Sequence, residues 1–194
     1  MILIVDNYDS FTFNLVHVVK NLGFHDYRVV KNDQIPWNEM NEVDRILFSP
    51  GPGVPSEAGD MMRLIETYGA TKYMLGICLG HQAIAEVYGA RLVNLAEVFH
   101  GISSQVECTE AGADDPLFAG VGPTFAVGRY HSWVVSEEAF PSCLQVLARS
   151  SDGQVMALKH RWYPVYGVQF HPESILTPLG EKIIRNFLCL PNQV

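Results

Sequence analysis

The sequence predicts an α/β fold: a single domain with an open, mostly parallel but mixed sheet, helices on both faces and a β-rich second half. Three observations lead there. In the first half, short apolar runs alternate with helical patterns, the arrangement of a parallel sheet covered on both sides. From Ser103 onward the runs become short, strand-like and closely spaced. The chain has 194 residues, 48% of them hydrophobic, enough to fill one core. No repeat, low-complexity tract or linker divides it, so residues 1–194 read as one domain.

The elements follow in order. Residues 2–5, an unbroken apolar run, read as the first strand. Residues 11–22 read as a helix, with Asp9 or Ser10 near its N-cap and Gly23 as its stop. Residues 27–31 and 45–48 are strands, and 58–68 a helix. A strand at 73–77 runs directly into a helix at 79–88, closed by Gly89. Strands follow at 105–108, 125–129, 144–149, 154–159 and 165–170, and a helix at 179–190 ends the pattern.

The bulk chemistry narrows the function. A net charge of −8 without a Lys/Arg-rich run argues against nucleic acid. No apolar run reaches the roughly 18 residues that span a bilayer. The start, MILIV followed by Asp6, lacks the basic flank and apolar length of a signal peptide. Cys78, Cys108, Cys143 and Cys189 have no CxxC spacing and read as free thiols of a reducing compartment. The expectation is a cytoplasmic protein that does not act at a membrane.

The richest stretch is Gly76-Ile77-Cys78-Leu79-Gly80-His81-Gln82. A strand turning into a helix at a cysteine, with glycines two residues before and after, is the pattern of a nucleophile elbow. The small residues let strand and helix approach, and a thiol at a helix N-terminus meets the positive end of the dipole, which favours thiolate. The amide of Leu79 is placed to donate to an oxyanion. A buried structural cysteine between two packing glycines is the plainer alternative.

Gly167-Val168-Gln169-Phe170-His171-Pro172-Glu173-Ser174 closes a predicted strand. Positions two apart share a face about 7 Å from one another at roughly 3.4 Å per residue, so His171 and Glu173 stand side by side, with Pro172 ending the ladder. Thiol, imidazole and carboxylate are the parts of a nucleophile–base–orienter triad. Alone, the pair also reads as an ordinary histidine and a capping or surface glutamate. Ser49-Pro50-Gly51-Pro52-Gly53-Val54-Pro55 follows a strand, where loops line the crevice of an open sheet, and the Gly53 amide is a candidate oxyanion donor. It also reads as a stiff turn, and it lacks the Gly-Lys-Ser/Thr ending of a P-loop. Asp6-Asn7-Tyr8-Asp9-Ser10 carries more polar groups than a cap needs, pointing to a crevice or a partner surface. His131 in Arg129-Tyr130-His131-Ser132-Trp133 reads as structural, and the histidines show no metal-ligand spacing.

Together, DNYDSFTFNL, SPGPGVPSEAG, GICLGHQ, the pair His100-Gly101, RYHS and GVQFHPES resemble the triad-type (class I) glutamine amidotransferases, nearly end to end and in family order. DNYDSFT and GPGVPSEAG look most like the amidotransferase subunits of anthranilate synthase (component II), with those of aminodeoxychorismate synthase, in the folate branch, as close siblings. The resemblance implies that Cys78 attacks the side-chain amide of glutamine, His171 relays protons and Glu173 orients it. It implies that Gly51, Pro52, Gly53, Gln82, Ser132 and Trp133 hold the substrate, and that the amides of Gly53 and Leu79 face the oxyanion. It further implies no cofactor in this chain, and a chorismate-using synthase subunit (component I), itself using Mg²⁺, as the recipient of ammonia. A cysteine peptidase or esterase on the same elbow is the alternative of another class. Two departures stand out: Ile102 where the family usually has lysine, and Trp133 where leucine is common.

Overall fold

The computed structural model describes residues 1–191; residues 192–194, the end of the predicted domain, lie outside the described residues. The strands are β1 (Ile2–Asp6), β2 (Tyr27–Lys31), β3 (Arg45–Phe48), β4 (Tyr73–Ile77), β5 (Leu92–Asn94), β6 (Ile102–Cys108), β7 (Thr124–Arg129), β8 (Trp133–Val135), β9 (Leu144–Ser150), β10 (Val155–His160) and β11 (Val165–Val168). The helices are α1 (Thr12–Asn21), α2 (Met61–Tyr68), α3 (Leu79–Val87), α4 (Glu110–Ala113) and α5 (Gly180–Leu188).

Nine strands form one mixed sheet in the order β2-β1-β3-β4-β11-β10-β9-β6-β7. From β2 to β11 neighbouring strands run parallel, and from β11 to β7 they run antiparallel. The division follows the sequence pattern: the first half has crossover helices, the second half mostly tight connections. β1 and β4 are buried along their whole length, as strands covered on both faces must be.

Alternation along each strand divides the core. Ile2, Ile4, Leu75 and Ile77 pack on one face with Leu15, Val18 and Val19 of α1 and Ile183, Ile184 and Phe187 of α5. Leu3, Val5, Met74 and Phe48 pack on the other with Leu64 and Ile65 of α2 and Ala83 and Ile84 of α3. The C-terminal ends of the parallel strands therefore open between the two helical layers, where the loops carrying the sequence motifs emerge.

Several local features differ from the sequence expectation. The helix expected at residue 58 begins at Met61, because Pro55–Glu57 form a separate 3₁₀ turn. At α1 the N-cap position is Phe11 and has no side-chain cap; Asp9 instead accepts from the Phe11 amide at 2.7 Å, and Ser10 is exposed. β5 and β8, three residues each, pair with each other outside the main sheet and carry no periodicity long enough to read. Gly23 ends α1 as expected, with φ +88° and its amide bonded to the Lys20 carbonyl.

Candidate active site

Cys78 sits at the junction of β4 and α3 with φ 50° and ψ −98°. A non-glycine residue in that region carries about 1–3 kcal/mol of strain, which persists only where surrounding structure enforces it. The enforcement is visible: the Cys78 amide donates to the Val168 carbonyl of β11 at 2.8 Å, and its carbonyl accepts from the Gln82 amide at 3.0 Å. Strand and helix are pressed together here. A Cβ on Gly76 would lie 2.3 Å from the backbone of Gly80, and one on Gly80 2.7 Å from Cβ of Phe48. Larger residues at either position would push the elbow apart, so the turn at Cys78 depends on both glycines.

His171 is 2% exposed, and its Nδ1 lies 2.6 Å from Oε1 of buried Glu173. β11 ends at Val168, so the two do not meet by strand alternation; a turn in which the Ser174 amide donates to the His171 carbonyl at 3.2 Å brings them together. The ring is walled by Tyr130, centroids 4.7 Å apart, and by the edge of Phe11 at 5.5 Å. Burial works to lower the His171 pKa, but the neighbouring Cys78 sulphur in its charged form and the Glu173 carboxylate outweigh it and raise it. Nε2 of His171 makes no hydrogen bond among the described residues. A bonded Nδ1, an uncommitted Nε2 and a stabilised imidazolium are what a proton acceptor beside a thiol requires.

Cys78 faces a cavity of about 220 Å³ lined also by Gly51, Pro52, Gly53, Gln82, Ser132 and Trp133, the six residues expected to hold substrate. Gly53 adopts φ +74°, a conformation natural to glycine. Leu79 is the first residue of α3, so its amide has no acceptor within the helix. The same cavity meets Val98, Phe99, His100, Tyr130 and His131, of which the expected set held none. A cleft of about 320 Å³ at the opposite end of the strands, beside Met1, Asp26, Asp44 and Arg45, carries no nucleophile.

The model of the class-I glutamine amidotransferase family matches residues 3–190. The chain belongs to the class I glutamine amidotransferases. It is 41% identical over 190 residues to the aminodeoxychorismate/anthranilate synthase component 2 of Bacillus subtilis, covering 97% of this chain and 95% of that one. To the anthranilate synthase component 2 of Pseudomonas aeruginosa it is 41% identical over 195 residues, with 97% and 94% covered. In three dimensions it matches a glutamine amidotransferase from Thermotoga maritima with a TM-score of 0.78 over 96% and 95% of the two chains; identity is 13%, so that likeness speaks for the fold.

The polar opening of this amidotransferase serves largely to fasten loops. Asp6 accepts from Lys31 Nζ at 2.5 Å and Thr12 Oγ1 at 2.9 Å; burial raises its pKa, but these bonds outweigh it and lower it. Asn7 Nδ2 donates to the Ser49 carbonyl at 2.7 Å, tying the first loop to the loop of Gly51–Gly53. His131 bonds Arg129 and the Trp133 carbonyl at the wall of the cavity, and burial together with the Arg129 charge pushes its pKa down to about 3. The site also contains residues that sequence reasoning left aside. Phe11 and Tyr130 flank His171, and Gln169 reaches the Cys78 sulphur. The one signal for Gln169 was a polar residue inside an apolar run.

Among the described residues no helix is long and apolar enough to cross a membrane.

Proposed function

We propose that the chain is the glutaminase subunit of anthranilate synthase, hydrolysing L-glutamine and delivering ammonia to a chorismate-using synthase subunit that holds its own Mg²⁺. The observation that carries the chemistry is Cys78, held in a strained elbow at the cavity wall, with the buried His171–Glu173 pair coupled to it. The Cys78 proton passes to Nε2 of His171, whose raised pKa favours the imidazolium, and the sulphur then attacks the side-chain amide carbon of glutamine. The tetrahedral oxyanion is met by the amides of Gly53 and Leu79. The C–N bond breaks, the nitrogen takes the proton from His171, and ammonia leaves a γ-glutamyl thioester on Cys78. Water, losing a proton to His171, adds to the thioester; collapse expels the sulphur, which regains that proton, and glutamate departs. Glu173 keeps the proton of neutral His171 on Nδ1 and steadies the imidazolium.

The synthase role rests on relatives named for component 2 of anthranilate and aminodeoxychorismate synthases. That double name supports a second reading, in which the chain serves the aminodeoxychorismate enzyme of the folate branch, or both enzymes. With the partner synthase present, Cys78→Ser is expected to abolish glutamine-dependent synthesis and leave ammonia-dependent synthesis intact. Loss of both in a folded complex refutes the division of labour. Product analysis with chorismate and glutamine separates the branches: anthranilate supports the first reading, aminodeoxychorismate the second.

A further inference from the structure

Gln169 lies one residue beyond β11, is wholly buried, and donates its backbone amide to the Met156 carbonyl at 2.9 Å. Its side chain reaches 3.5 Å from Sγ of Cys78. We propose that Gln169 is a further catalytic residue of this amidotransferase, a fixed N–H donor to the nucleophilic sulphur. The proposal rests on Cys78 being the nucleophile, as argued above.

Which end of the Gln169 amide faces the sulphur follows from a chain of partners that Arg129 anchors and the Trp133 carbonyl, an acceptor only, decides. A guanidinium has no acceptor, so Arg129 Nε, 3.2 Å from Nε2 of His131, donates to it. The proton of this neutral ring is therefore on Nδ1, which donates to the Trp133 carbonyl at 3.1 Å. That carbonyl, an acceptor alone, also lies 2.9 Å from the Gln82 amide, whose near atom must be nitrogen. The same nitrogen lies 3.2 Å from the Gln169 amide, whose near atom must then be oxygen. The remaining end of Gln169, turned to Cys78, is the NH₂ group. No free choice of amide orientation enters the chain.

The start of the chain is rigid. Arg129 is 1% exposed, stacks 3.5 Å above the centre of the Phe99 ring, and donates to Gln154 at 2.5 Å and to Asp152 at 3.4 Å. A donor held this way favours negative charge on sulphur twice in the cycle: when the thiol gives up its proton, and when the tetrahedral adduct expels the thiolate. Because Gln82 and Trp133 belong to both the chain and the cavity wall, occupation of the cavity and the set of the donor are linked.

The test replaces Gln169 with methionine, which has similar length but no N–H. Alkylation of Cys78 by iodoacetamide is followed by mass spectrometry of its peptide across pH, alongside glutamine turnover and thermal unfolding. Alkylation at pH 7 is expected to slow about tenfold, the scale of a lost hydrogen bond to a charged group, and to return to the parent rate at high pH. Turnover is expected to fall in parallel. An unchanged alkylation profile, or equal slowing at every pH, overturns the proposal. If Gln169→Met does not fold, Gln169→Asn, one methylene short of the sulphur, is judged by the same outcomes. The readout does not depend on glutamine: if Cys78→Ser retains glutaminase activity the nucleophile assignment fails, whatever the alkylation shows.

Discussion

His81, three residues past Cys78, is 0% exposed, and neither ring nitrogen makes a hydrogen bond among the described residues. The Gly167 backbone beside the ring works to raise its pKa, but burial outweighs that. Burial lowers the His81 pKa from 6.5 to about 4. Above 6.5 the ring is neutral folded or unfolded, and no stability is lost. As pH falls below 6.5 the unfolded chain takes up a proton that the folded one refuses, and the loss is complete below about 4. Between pH 7 and pH 5 these values imply a loss of about 2 kcal/mol, a large share of a typical folding free energy. His81→Leu removes the titration together with two unbonded polar atoms. Urea unfolding of both proteins at pH 7 and pH 5, followed by circular dichroism, measures the difference. The variant is expected to be at least as stable at pH 7 and to lose about 2 kcal/mol less than the parent on going to pH 5. Equal losses in the two proteins would refute the reasoning.

Gly76→Ala places a methyl group against the backbone of Gly80, which cannot give as a side-chain tip can. We expect about 3 kcal/mol of destabilisation and loss of glutaminase activity, measured by thermal unfolding and glutamate release; a stable, active variant contradicts the close-approach argument. His171→Ala is expected to lower turnover about 10²–10⁴-fold, the usual contribution of a general base, and Glu173→Ala at least about tenfold less. Steady-state kinetics of the two variants decides the roles, and a worse Glu173 variant would reverse them.

Much of the site was legible because its motifs are local. A strand, a cysteine between glycines and a helix are contiguous, so sequence order itself places Cys78 at an elbow. The loop of Gly51–Gly53 was legible for the same reason: it follows a strand end, and strand ends in an open sheet face the crevice. What could not be read depends on pairing between distant segments. Gln169 touches Cys78 because β11 lies beside β4, and nothing near Gln169 in the chain announces that. His131 read only as a structural histidine, and the bonds that Arg129 and His131 make to Asp152, Gln154 and the Trp133 carbonyl exist only in three dimensions. The His171–Glu173 pairing was anticipated for the wrong geometric reason, since Pro172 starts a turn where alternation was expected to continue.

β11 is the last strand among the described residues, yet it lies in the middle of the sheet between β4 and β10. The Cys78 amide bonds to it, and Gln169, 91 residues from Cys78, arrives with it. Cys78 and the groups packed against it therefore come from segments far apart in the sequence and meet only when a late, long-range parallel pairing closes. Such pairings are slow because loop closure precedes any reward. A chain still emerging from the ribosome thus carries Cys78 before His171 and Gln169 are there to stand beside it. In refolding, secondary structure is expected to return first, and glutamine hydrolysis to lag until the central gap in the sheet is filled.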